Sequence, residues 1–317
     1  MERIEMCSVI REEFQMYESN IEASAKQAAV FILLGQSNAV GHGVPMEEKD
    51  KIKEPLKNVF GLTREQNQSY HNEELVWSGY TSGGMNLGEE QDDTYSVANC
   101  LARQWQDEID SGNKANLPDL YIVQIAIGSE GVTQQYMWYP DRAEKLVPGK
   151  LGTVDISLYP FTVHILSLLR ESLSKLGITQ TFVELHWRGG SQEMCVPIEK
   201  LREDLEPIYI QIFGGLEESL GMPANFTIHL LPYVEAAMEY DPSGGRLKSM
   251  QFVNDVFEKI AHQRDNYALY DPKSAPHYVP DTREHNLFIE DVVHYNPKTN
   301  NWVAQQIMNT FKARRRT

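Results

Sequence analysis

Five short runs rich in β-branched and aromatic residues punctuate this chain, and each stops at or near a glycine, proline, tryptophan or aspartate. They are AVFILL over residues 29–34, LYIVQIAIG over 120–128, TFVELHW over 181–187, NFTIHLLP over 225–232 and YALYD over 267–271. The first is apolar at every position, the pattern of a strand covered on both faces. Between the runs lie stretches with helical periodicity, at 97–110, 160–176, around 198–220, 250–264 and 299–312. In one of them Met250, Val253, Val256, Phe257 and Ile260 recur at three and four residues and give a single apolar face. Pro160 sits near the start of its stretch and Gly177 just past the end, as helix termini prefer. Strands that alternate with helices are joined by crossovers and therefore lie parallel, which predicts an α/β sandwich.

No repeat, Pro/Ser linker or low-complexity tract divides the chain, so one domain over residues 29–317 is expected, preceded by a charged helical extension over 1–28. Two long loops, 44–88 and 131–155, are rich in Tyr, Trp, Asn and Gln, including QQYMWYP. Loops of that length are commonly binding walls. Their aromatic rings either stack on a sugar or pack the loops onto the body.

The formal charge of −16 argues against recognition of nucleic-acid phosphates. The one basic cluster, Arg314 to Arg316, reads as a solvated tail. Three cysteines, Cys7, Cys100 and Cys195, lack the paired spacing of a zinc or redox motif. Cys195 is noted as a nucleophile candidate beside its plainer reading as a thiol. No apolar run has the length of a membrane span and the first residues lack a signal-peptide core, so a cytoplasmic location is expected.

The first run leads into GQSNAVGHG, residues 35–43. Ligands of open parallel sheets bind beyond the carboxyl ends of the strands, which is where Ser37 falls. The phosphate-loop and dinucleotide glycine patterns are both absent, and the elbow G-x-S-x-G lacks its last glycine at Ala39. Taken alone, the serine is either a nucleophile or a turn residue capping a helix. The far end of the chain carries FIEDVVHYN, in which Asp291 and His294 are three apart. A serine hydroxyl needs an imidazole base, and the imidazole needs a carboxylate to set its tautomer. The D-x-x-H spacing supplies both in one turn and favours the catalytic reading.

These two blocks resemble those of the SGNH hydrolase superfamily, and within it the sialate O-acetylesterase-like and carbohydrate esterase family 6 acetylesterases. The resemblance runs from about residue 29 to the C-terminus. It implies a flavodoxin-like three-layer α/β/α sandwich with a mostly parallel five-stranded sheet, and hydrolysis of O-acetyl esters on a sugar or oligosaccharide without cofactor or metal. It further implies Ser37 as nucleophile, His294 as base and Asp291 as its orienting carboxylate. Gly128, similar to the family's second block, would complete an oxyanion hole with the Ser37 N–H, a donor worth about 2.7–4 kcal/mol in the barrier. The third block departs. Where the family reads W-H-Q-G-E-S-D, this chain has His186-Trp187-Arg188-Gly189-Gly190-Ser191-Gln192. Arg188 then either donates to the oxyanion, grips an anionic substrate, or marks a site that has drifted. His42 lines the pocket in this reading, and the other histidines are structural or exposed.

The leading expectation is a serine carbohydrate O-acetylesterase whose activity falls on acidification as its base protonates. The alternatives are a carbohydrate-binding protein on the same fold, and an esterase for another short acyl ester, lipid or thioester. No membrane partner is expected, and the oligomeric state is left open.

Overall fold

The apolar run at 29–34 forms the centre of the sheet, and its neighbours explain why it carries no polar residue. The structure is a computed structural model that describes residues 15–17, 27–43, 45–64, 74–88, 94–112, 117–141, 146–149, 152–155, 157–232 and 244–314. In chain order the elements are β1 (Gln15–Tyr17), β2 (Gln27–Gly35), α1 (Ser37–Val40), β3 (Val59–Arg64), β4 (Glu74–Gly79), α2 (Val97–Asp110) and β5 (Asp119–Ala126). There follow β6 (Leu146–Gly149), β7 (Gly152–Asp155), α3 (Leu158–Lys175), β8 (Gln180–Arg188), α4 (Ile198–Leu220), β9 (Ala224–His229), α5 (Gly245–Ala261), β10 (Tyr267–Tyr270) and α6 (Pro297–Arg314).

Along β2 the side chains alternate between two cores. Ala28, Val30, Ile32 and Leu34 pack with residues of α3, α4 and α5, whereas Ala29, Phe31 and Leu33 pack with residues of α2 and α6. Both faces are therefore dry, as the continuous apolar pattern requires, and the three-layer α/β/α architecture follows.

The sheet has eight strands, not the five expected, in the order β1, β4, β3, β5, β2, β8, β9, β10. The six from β3 to β10 are mutually parallel, and β4 runs antiparallel to β3. Four of the five expected strands, β2, β5, β8 and β9, sit side by side, with β10 at the edge. The three extra strands lie on the opposite side, and β3 and β4 fall inside the segment 44–88 read as a loop. Gly61 interrupts β3, where a Cβ would press on Met85 and Tyr80, and this weakened the strand pattern. The second long loop, 131–155, carries the β6, β7 hairpin. Within the expected helical extension, Gln15–Tyr17 instead forms a strand parallel to β4, and residues 27 and 28 belong to β2. Residues 1–14 and 18–26 lie outside the described residues. No described helix is long and apolar enough to cross a membrane.

Register places the site. Gly35, the last residue of β2, pairs with Ala126 of β5 on one side and Arg188 of β8 on the other, so the chain leaves three adjacent strands at one level. Gly35 has φ +143°, and a Cβ there would collide with the backbone carbonyl of Arg188. Gly35→Ala should cost about 2–4 kcal/mol, read as a lowered urea midpoint at unchanged slope.

Candidate active site

The serine turn begins where β2 stops. Gln36 is the N-cap of α1 and makes no side-chain capping bond, and Ser37 is already the first helical residue. The serine is thus not the cap of α1. It is 8 % exposed, held by a backbone in which Ala39 and Val40 N–H donate to Gln36 O and Gly41 N–H donates to Ser37 O.

Gln36 anchors this turn from below. Its Oε1 accepts from Ser191 Oγ at 2.7 Å and from Gln192 N–H at 3.2 Å, and its Nε2 donates to Glu193 Oε2 at 3.4 Å. Glu193, fully buried, also accepts from Val132 N–H at 2.6 Å. One carboxyl group therefore ties the serine turn to the segment after Gly128. Glu193, three residues after Gly190, puts a buried carboxyl into this loop.

Burial pushes the Glu193 carboxyl up to about 7, against the hydrogen bonds from Val132 N–H and Gln36. Because this folded-state value lies above that of the unfolded chain, the folded form holds an extra proton in between, and its stability falls as pH rises from about 4.5 to about 7. The unfolding free energy from urea titrations should drop across that window by on the order of 3 kcal/mol. Glu193→Gln, which keeps the acceptor for Val132, should flatten the slope.

At the other end of the chain, Asp291 and His294 form a closed turn. Asp291 Oδ2 meets His294 Nδ1 at 2.5 Å, and Oδ1 accepts from the N–H groups of Val293 and His294, both at 2.9 Å. Val292 between them has φ +55°, an uncommon conformation for a β-branched residue, which surrounding contacts must hold. Burial pushes the Asp291 carboxyl up, but the hydrogen bonds from His294 and Val293 outweigh it and keep the group below the usual carboxylate range.

The two ends meet through Asn38, the residue after the serine. Its Nδ2 donates to Val293 O and its Oδ1 accepts from Tyr295 N–H, each at 3.0 Å. Both residues flanking His294 are thereby bonded to the side chain beside Ser37. His294 also packs on the serine turn: a Cβ on Gly43 would lie 2.7 Å from its Cβ. Gly128 stands two residues past Ala126, at the level of Ser37 two past Gly35, and the following Ser129 has φ +61°. Ser37, Gly128, Asp291 and His294 are thus gathered beyond the carboxyl ends of the central strands.

Arg188 does not join them as expected. Its side chain turns inward, 4 % exposed, where Nη1 donates to Asn38 O and to Asn300 Oδ1 at 3.0 Å and the guanidinium lies 4.7 Å above the Tyr295 ring. Nε and Nη2 are buried with the rest of the guanidinium. Alternation along β8 is the reason, since even-numbered residues face α2 and α6. Arg188, expected as an oxyanion donor, is buried beneath the serine turn and bonded to Asn38 and Asn300.

The loop aromatics also turn inward. Trp138 is buried, donates to Gly35 O at 3.1 Å and meets Trp187 edge to face, and Trp77 is buried with its indole N–H on Ser172. Tyr136 stays half-buried, accepting from Gln192 Nε2. His186 and His229 are a buried pair at 2.9 Å. Cys195 is exposed. Among the described residues no three His, Cys, Asp or Glu side chains gather to hold a metal ion. Gln36, Asn38 and Glu193 were missed as site residues; an acid following the glycine pair in GGSQE was the available signal for the last.

A cleft of about 750 Å³ is lined among others by Gly43, Asn286, Ile289, Glu290, Asn296 and Lys298, of which Gly43 and Ile289 contact His294.

No protein-family model matches the chain, and no curated protein matches it in sequence. Among solved structures it is similar to NanS, with a TM-score of 0.56 and 14 % identity over 92 % of this chain and 99 % of that one. The two share a fold. The resemblance read from the end blocks is borne out at that level. Looser likenesses are to a variant of Axe2, an acetyl xylan esterase from Geobacillus stearothermophilus, with a TM-score of 0.42 and 11 % identity over 92 % and 96 % of the two chains. A carbohydrate acetylesterase family member from Sinorhizobium meliloti has a TM-score of 0.40 and 10 % identity over 91 % and 100 %.

Proposed function

We propose that this chain is a serine esterase that removes O-acetyl groups from a carbohydrate through an acyl-enzyme. The observation that carries the reading is the Asp291 and His294 pair, whose neighbours Val293 and Tyr295 are hydrogen-bonded to Asn38, the residue next to Ser37. In this mechanism His294 Nε2 takes the proton of Ser37 Oγ as the oxygen attacks the acetyl carbonyl. Asp291 holds Nδ1 protonated and stabilises the imidazolium. The N–H groups of Ser37 and Gly128 receive the oxyanion. His294 then returns its proton to the leaving sugar oxygen, and water repeats the sequence to release acetate. The cleft beside His294, with its amide and charged side chains, suits a polyhydroxylated leaving group better than a lipid tail.

The test is acetate release from a panel of acetylated oligosaccharides and acetylated sialic acids. Release that depends on Ser37 supports the reading, and the best substrate identifies the sugar. Glycan binding without release, unchanged in Ser37→Ala, replaces it with the binding-protein alternative.

A further inference from the structure

His42 stands where the serine turn, Gly128 and the base histidine meet. A Cβ built on Gly128 would overlap the Cε1 atom of the His42 ring and lie 2.9 Å from its Nδ1, so the ring rests on the Gly128 backbone. The same ring meets that of His294 edge to face, with centroids 5.9 Å apart and planes at 64°. Its half-buried position keeps one side of the imidazole covered. One side chain thus touches both the glycine that receives the oxyanion and the histidine that serves the leaving group.

Four directions leave the tetrahedral carbon of the proposed reaction. One is the bond to Ser37 Oγ, one is the oxyanion at the Ser37 and Gly128 N–H groups, one is the leaving oxygen at His294, and the last is the acyl substituent. The leaving sugar is the bulky partner and needs open volume, which the cleft beginning at Gly43 and Ile289 provides on the flank of His294. The acyl substituent is left facing the ring that covers Gly128. We propose that His42 is the wall of the acyl pocket and restricts the acyl group to acetyl size. The inference rests on the esterase reading of the site.

The experiment measures kcat/KM for 4-nitrophenyl acetate, propionate and butyrate with wild type, Ser37→Ala, His42→Ala and His42→Phe, with melting curves to check folding. Wild type should prefer acetate. Each methylene that meets a wall is worth about 10- to 200-fold in discrimination, so His42→Ala should raise the butyrate-to-acetate ratio by about 10- to 100-fold. His42→Phe keeps a ring and should keep the preference for acetate. A butyrate-to-acetate ratio unchanged in His42→Ala, or an equal loss on all three esters, overturns the pocket wall while leaving the esterase reading standing. Hydrolysis absent from wild type, or unaffected in Ser37→Ala, removes the esterase reading itself and the wall with it.

Discussion

Ser37→Ala is expected to lower kcat for acetate release by about 10⁴- to 10⁶-fold while leaving the fold and glycan affinity nearly unchanged. The size of the effect follows from the mechanism, because the acyl-enzyme bond has no other atom on which to form. The fold should survive because the Ser37 hydroxyl is not the cap of α1, and alanine is a strong helix former at the first helical position. The scaffold holding the turn, from Gln36 to Ser191 and Glu193 and from Asn38 to Val293 and Tyr295, does not pass through the serine side chain. Single-turnover acetate release beside a melting curve separates the two effects. Residual turnover within tenfold of wild type, at an unchanged melting point, would remove Ser37 from the chemistry.

Asp291→Asn should cost about 10⁴-fold in kcat, and the local geometry explains why the loss is one of protonation state and not of shape. Asp291 uses Oδ1 for two backbone donors, Val293 N–H and His294 N–H, and Oδ2 for the His294 ring. An asparagine keeps the turn by leaving its oxygen on the two N–H groups, which forces its NH₂ toward Nδ1. The imidazole must then accept at Nδ1 and carry its proton on Nε2, the wrong tautomer for a base acting on Ser37. KM should change little, and the variant should melt near wild type. Asp291→Ala, which also frees the two N–H groups and leaves Val292 at φ +55° without the carboxylate turn, should lose both activity and stability. Equal kcat for Asp291→Asn and wild type would mean that His294 acts without its carboxylate or does not act at all.

The chain shows its central layer plainly because burial on both faces leaves no room for polar letters in a strand such as β2. The helices were legible from their three- and four-residue spacing, and α2 begins and ends where that spacing predicts. β3 and β4 were not, because Gly61 breaks one and both lie toward the edge of the sheet, where apolar alternation is weaker. At the site, Ser37, Asp291 and His294 were readable from local chemistry: a serine after a strand end, and an acid one helical turn before a histidine. The burial of Arg188 was not legible because it depends on which face of β8 the residue occupies. Asn38 was passed over because nothing local distinguishes a structural amide from any other.

The amino-acid sequence by itself determined the central parallel strands β2, β5, β8, β9 and β10, most of the helices and the two candidate blocks, since each follows from periodicity and spacing within a few residues. Only the tertiary structure decided that these blocks meet, that Arg188 is buried beneath the serine turn, that Glu193 braces that turn and that His42 covers Gly128. Those outcomes depend on strand register and on contacts between residues as many as 257 positions apart, and no local pattern encodes a contact whose partner is fixed by how whole elements pack.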